Sequence, residues 1–449
     1  MVSFNNALDE ARKKISEWTS IPKIQCATLV RDARGTISVY LEPITGTSLA
    51  ESEVISLQQS LTASLGIFFQ GNVYTEEQNT WTTDLFDKVR SLRIADSPIA
   101  SIPNVTWYRI ERGISKKAWI ECNGRETAVW PYETTQTAEK KPKVVTFFSY
   151  KGGMGRTTSL VSVAIELSRR KKNVLMIDTD LEAPGLSTFF FPPTDSQLIQ
   201  KGTVDFLLER GINSTGSSNM ADYILSLTDS NYWNETQGNL YLVPSGKLDR
   251  DYLLKLARID SQELVEGRLK ECFEKLLNAC ATELASNGGI DYILLDSRAG
   301  FHDMAGIITA QLPHAVVLFG KDSAQSWFGI EEALHTIAES QNDPPFVIMA
   351  DSNCGQNGVI EQEEKERFLL KSYEVFCAQY YPEPQPGLKA SDAHNPVYIP
   401  YDPILSGDIP LYNSNRCASL LTKLATTPYI QLAQRIMRSF DDLPDQEGV

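Results

Sequence analysis

Apolar residues recur at helical spacing near the start of the chain, at Phe4, Leu8, Ala11, Ile15 and Trp18, and predict an amphipathic helix there. Two β-rich runs follow, KIQCATLV and TISVYL, joined by RDARG in the pattern of a hairpin. Helical periodicity returns at Glu51–Leu65 and Thr82–Leu92, and VTWYRI and KAWIEC then read as further strands. Together these elements predict a small α+β domain over residues 1–132. Trp18, Trp81, Trp107, Trp119 and Trp130 all fall in it, and aromatic residues in so small a domain are expected to supply buried area.

Residues Thr134–Lys143, TTQTAEKKPK, show no apolar periodicity and are closed by Pro142, so a linker is expected over 133–143. Beyond it the rhythm changes. Short β-branched runs (VVTFFS, NVLMID, NLYLVP, DYILLD, AVVLFG, FVIMA and VYIP) alternate with longer helical patterns. Strands separated by helices need crossover connections, so residues 144–449 predict an α/β domain, a mainly parallel sheet with helices on both faces. Ligands in such sheets bind at the carboxyl ends of the strands.

Composition narrows the possible partners. The chain has 449 residues and a formal net charge of −15, which disfavours binding to nucleic acid or anionic lipid through overall charge. The seven cysteines contain no CxxC pair and the four histidines no HExxH spacing, as expected of reduced thiols in a cytoplasmic protein without a zinc site. The charged N-terminal stretch is unlike a signal peptide, and no apolar run approaches the roughly 20 residues that cross a bilayer. A soluble protein is expected.

The richest chemistry lies in VVTFFS-YKGGMGRTTS, Val144–Ser159. A strand runs into a glycine-rich turn that opens a helix, so successive backbone N–H groups can converge on an anion at the helix N-terminus. Gly152, Gly153 and Gly155, with Met154 at the variable position, form the turn. Thr157 stands where a P-loop hydroxyl meets magnesium, and Thr158 is placed for a phosphate oxygen. Against G-x-x-x-x-G-K-[ST], Tyr150 replaces the first glycine and Arg156 the lysine.

Y-K-G-G-M-G-R-T-T resembles the deviant Walker A motif of ParA/MinD-type P-loop ATPases, in a KGGxGR variant. LMIDTDLEAPGLS, NLYLVPSG, DYILLDSRAG and VYIPYDPILSGDIPL resemble further motifs of that family in order and spacing. The resemblance covers roughly Lys143 to the C-terminal helix. It implies ATP and Mg2+ as cofactors, with magnesium held by Thr157, Asp178 and Asp296. It makes Asp178 and Asp180 candidates for positioning the attacking water, and puts Pro400 and Asp402 beside the adenine. The signature lysine of the family matches Lys151, which there reaches the other subunit's nucleotide, so an ATP-dependent homodimer is implied. A guanidinium is wider and planar where the family has an ammonium, so Arg156 favours binding with slow or lost turnover.

The resemblance therefore suggests a dimerising switch ATPase that regulates a protein partner through its N-terminal domain, with a role in bacterial antiviral defence implied by the KGGxGR variant. A DNA-partition or cargo-positioning ATPase, a bacterial tyrosine kinase and a non-hydrolysing ATP-bound scaffold remain open. The basic run Arg169–Lys172 reads as a helix C-terminus complementing its dipole. The amphipathic YIQLAQRIMRSF, followed at once by acidic residues, is expected to pack on the ATPase domain rather than on a membrane.

Overall fold

The computed structural model describes residues 2–440, apart from 77–79, 113–114, 121–141, 193–197, 214–215, 217, 267, 341–343, 356–357, 384–388 and 390. Its chain divides into two compact units, Met1–Ser115 and Lys116–Val449. Of the expected linker, residues 133–141 lie outside the described residues, as do Cys122 and Trp130.

In the first unit, β1 (Ile24–Arg31) and β2 (Ile37–Pro43) form the expected antiparallel hairpin. They join β3 (Phe69–Thr75), β4 (Ile94–Ala95) and β5 (Thr106–Glu111) in a sheet ordered β3-β2-β1-β5-β4. Helices Ala7–Ser16 and Glu51–Leu65 present Ala7, Ala11, Ile15, Leu57, Leu61 and Leu65 to a core shared with β1 and β2, with Trp18 and Trp107 inside it. That spacing gives each helix one apolar stripe and leaves its other side to solvent.

The second unit is built on an eight-stranded sheet, β13-β12-β11-β6-β10-β7-β9-β8. The strands are β6 (Lys143–Ser149), β7 (Val174–Asp178), β8 (Leu225–Ser226), β9 (Leu240–Val243), β10 (Tyr292–Asp296), β11 (Ala315–Gly320), β12 (Phe346–Cys354) and β13 (Val397–Pro400). Every pairing is parallel except that of the short edge strand β8, which sequence patterning did not indicate. In the central strands, alternate residues enter separate cores. Val145 and Phe147 of β6 pack with helices Arg156–Arg169, Ser414–Leu424 and Thr427–Arg438. On the other face Val144 joins Leu269–Glu283, and Phe148 joins Ala324–Ser340 and Gly358–Gln379. Burial on both faces explains why these strands read as unbroken apolar runs. The C-terminal amphipathic helix does pack inward, through Tyr429, Leu432, Ala433, Ile436 and Met437.

KAWIEC departs from expectation. Lys117–Ile120 is a short helix, not a strand, and it belongs to the second unit. Ala118 and Trp119 are buried against that unit's own core, where helical spacing places them better than strand alternation would.

Candidate functional site

The carboxyl ends of β6, β7 and β10 meet where the sheet order turns from β6 to its neighbours on either side, the crevice in which α/β folds bind ligands. β6 ends at Ser149 and helix Arg156–Arg169 begins seven residues later. Gly153 (φ +74°) and Gly155 (φ +72°, the N-cap) take left-handed conformations that residues with a Cβ rarely adopt. A Cβ built on Gly152, Gly153 or Gly155 meets nothing within 4 Å, so the turn borders open space rather than packed protein.

That space is a cavity of about 390 Å³. Gly153 to Thr158, including Met154, line one side, and Ile399 to Asp402 with Leu405 to Ile409 line the other. Phe189 and Tyr429 line the cavity as well. Pro400 and Asp402 thus lie across the cavity from the glycine turn. Asp402 is held there by Lys423 at 2.8 Å and by the Ile404 N–H, and the lysine keeps its carboxyl below the usual range. Asn353, left-handed at φ +57°, also lines the cavity and donates from Nδ2 to the Gly153 carbonyl at 3.1 Å.

Beneath the turn lie three carboxylates. Asp178 and Asp296 are register partners on adjacent parallel strands, and both are fully buried. Thr157 Oγ1 donates to Asp296 Oδ2 at 2.7 Å, while the buried Asp296 Oδ1 has no hydrogen-bond partner. Burial raises the Asp296 carboxyl to about 6, against the pull of Arg156 and Thr157. Asp178 is pushed well above the carboxylate range, by burial first and then by Asp296. Its two oxygens accept the Asp180 and Leu186 N–H groups, so it shapes the loop that follows β7. Asp180 accepts from Ala183 N–H and faces Arg156 Nη2 at 3.4 Å; burial raises it as well.

Arg156 is held from two sides, since Nη1 donates to Ser149 Oγ at 2.8 Å and Nη2 faces Asp180. Its buried Nε has no partner. Ser149 Oγ in turn donates to the Lys151 carbonyl at 2.6 Å. Lys151 itself is exposed. The predicted residues therefore fall into one site, in which Gly152 to Thr158 and Asp178, Asp180 and Asp296 are neighbours and Pro400 and Asp402 form the far wall. Ser149, which orients Arg156, was not indicated by sequence. The signal lay only in its position as the last strand residue before the turn.

Tyr150 now has a physical reason to occupy the first glycine position. Its ring packs on Phe301 (centroids 4.8 Å apart) and Phe328, and Gly329 is the only residue type that leaves it room: a built Cβ there would lie 2.0 Å from Tyr150 Cγ.

Residues 142–343 match the family model described as AAA domain. None of the curated proteins compared by sequence matches the chain. Similar solved structures include pNOB8 ParA bound to nonspecific DNA, 14% identical over 67% of this chain and 99% of that one, with a TM-score of 0.46. Apo McdA of Cyanothece is 14% identical over 67% and 100% of the two chains, with a TM-score of 0.45. A ParA family ATPase from Chlorobium tepidum is 17% identical over 65% and 98%, with a TM-score of 0.41. The matched segment, from the start of β6 through helix Ala324–Ser340, is therefore similar to an AAA domain. Among the described residues, no helix is long and apolar enough to cross a membrane.

Proposed function

We propose that this chain binds ATP with magnesium in the cavity between the glycine turn and residues 399–409, and that the bound nucleotide operates a homodimeric switch. The observation that carries the reading is the join of an open glycine cradle to a buried hydroxyl–carboxylate pair, Thr157 and Asp296, with one carboxylate oxygen left without a partner. The backbone N–H groups of the turn and the N-terminus of helix Arg156–Arg169 supply positive potential for the phosphates. The base is assigned to the part of the cavity lined by Phe189, Tyr429 and residues 399–402 and 405–409.

Thr157, Asp296 and Asp178 fit a magnesium ion in donor type, since hard cations take oxygen ligands. When bound, magnesium neutralises charge on the phosphate oxygens. Asp178 already serves two backbone amides, so Asp296 is the stronger ligand and Asp180 the freer carboxylate to orient water. Arg156 must leave Asp180 or share it before it serves a phosphate, which supports slow turnover. Lys151, exposed in the glycine turn, is the residue for a second subunit's nucleotide. The N-terminal unit is the module for a protein partner, in a bacterial defence role. DNA partition is the second reading; the net charge of −15 speaks against it.

Calorimetric titration with ATP tests the site. One nucleotide per chain is expected in the presence of magnesium, and Thr157→Ala should weaken binding at least about tenfold with magnesium and little without it. Equal affinity of the wild type and Thr157→Ala in magnesium would remove the metal assignment. Absence of heat and of competition by ATP analogues would remove the nucleotide.

A further inference from the structure

Lys116–Ile120 immediately follows the N-terminal unit in sequence, lies outside the segment that matches the family model, and is built into the nucleotide-binding unit. Its contacts converge on one loop. Trp119 Nε1 donates to the His302 carbonyl at 2.7 Å, and the Lys117 N–H donates to Asp303 Oδ1 at 3.2 Å. The Trp119 ring packs on Phe301 (4.8 Å) and on Phe148 of β6 (5.3 Å). On the far side, Thr336 Oγ1 donates to the Trp119 carbonyl at 3.3 Å.

The loop so gripped is the one that leaves Asp296. Its Ser297 and Gly300 N–H groups donate to the carbonyls of Phe147 and Ser149, the last turns of the strand that feeds the glycine cradle. Phe301 then carries the contact on to Tyr150, next to Lys151. After His302 the chain forms a helical turn, Asp303–Gly306, and runs directly into a π-helical turn, Ile307–Gln311. π-Helical turns are uncommon and often mark functional positions. Gly306 permits the close approach: a Cβ there would lie 2.7 Å from Ala118 Cβ and 2.9 Å from Trp119 Nε1.

We infer that residues 116–120 form a strap that sets the nucleotide site, with Trp119 as a positioning residue for the loop that follows Asp296. The physical path is Trp119 to Phe301 to Tyr150, together with the Trp119–His302 hydrogen bond. A nucleotide that orders residues 297–306 tightens the strap. The inference rests on the nucleotide-binding reading above.

Two variants approach the interface from opposite sides. Trp119→Ala empties it, and Gly306→Ala pushes the strap away while leaving Trp119 in place. Hydrogen exchange of the full chain without nucleotide should show the amides of residues 300–311 exchanging at least about tenfold faster in both, with Trp119→Phe intermediate because it keeps a ring and loses the donor. Binding of a fluorescent ATP analogue with magnesium should weaken about fivefold or more in both variants, and the strap's own amides should be protected by nucleotide in the wild type. Unchanged exchange in Trp119→Ala and Gly306→Ala, or unchanged affinity in both, overturns the strap. A wild type that binds no analogue overturns the nucleotide reading instead, and the exchange of residues 300–311 decides the strap separately.

Discussion

Asp296 and Asp178 place two carboxyls side by side in a dry site, an arrangement that costs stability unless a proton or a cation is present. With its folded value raised to about 6, the Asp296 carboxyl holds its proton more tightly when folded than when unfolded. The stability it contributes is therefore lost as pH climbs between its unfolded and folded values. Asp296→Asn removes the buried charge, so the nucleotide-free variant should melt higher than the wild type at pH 7.5. The same substitution should abolish the magnesium-dependent part of ATP binding. A lower melting temperature at pH 7.5 would mean that the carboxylate is stabilised by partners in the apo state. The pairing explains why function and stability pull apart here, as is common where ligand chemistry needs buried charge.

Among the elements, the sheet's strands other than β8 were legible in the sequence; β6, β7, β9, β10, β11 and β12 are buried almost throughout and read as continuous apolar runs, while the edge strand β13 alternates buried and half-buried residues. The glycine turn was legible because φ > 0 at Gly153 and Gly155 demands glycine. Strand β8 was not, since two residues at a sheet edge carry no periodicity. Lys117–Ile120 misled for the same reason: four residues cannot separate helix from strand, and what decides them is Trp119 finding Phe148, Phe301 and the His302 carbonyl far along the chain. The role of Ser149 depends on side-chain aim, which spacing does not fix. His314, just before β11, accepts the Val144 N–H at Nδ1 and so ties β11 to the start of β6. Burial lowers its value to about 4, so the folded chain resists its protonation. Stability should thus fall from this group as pH drops below its unfolded value near 6.5, by about 2 kcal/mol at pH 5. His314→Asn offers an acceptor at the Nδ1 position without a titration. Denaturant unfolding at pH 7 and pH 5 should show the wild type losing more than the variant, and equal losses would remove His314 from the pH response.

At the scale of the whole molecule, a charge of −15 works against holding a polyanion through overall charge. Lys151 stands exposed two residues before the cavity-lining Gly153, as a residue that reaches a second copy must be. The AAA domain match begins at residue 142, so the N-terminal unit and the strap both lie outside it. Light scattering of the full chain in saturating ATP and magnesium, with bound nucleotide read in the same peak, tests the dimeric switch directly. The mass should double from that of one 50.1 kDa chain, and Lys151→Ala should stay at one chain while still carrying nucleotide. A nucleotide-loaded wild type that remains a single chain, or a Lys151→Ala variant that doubles as the wild type does, would contradict it.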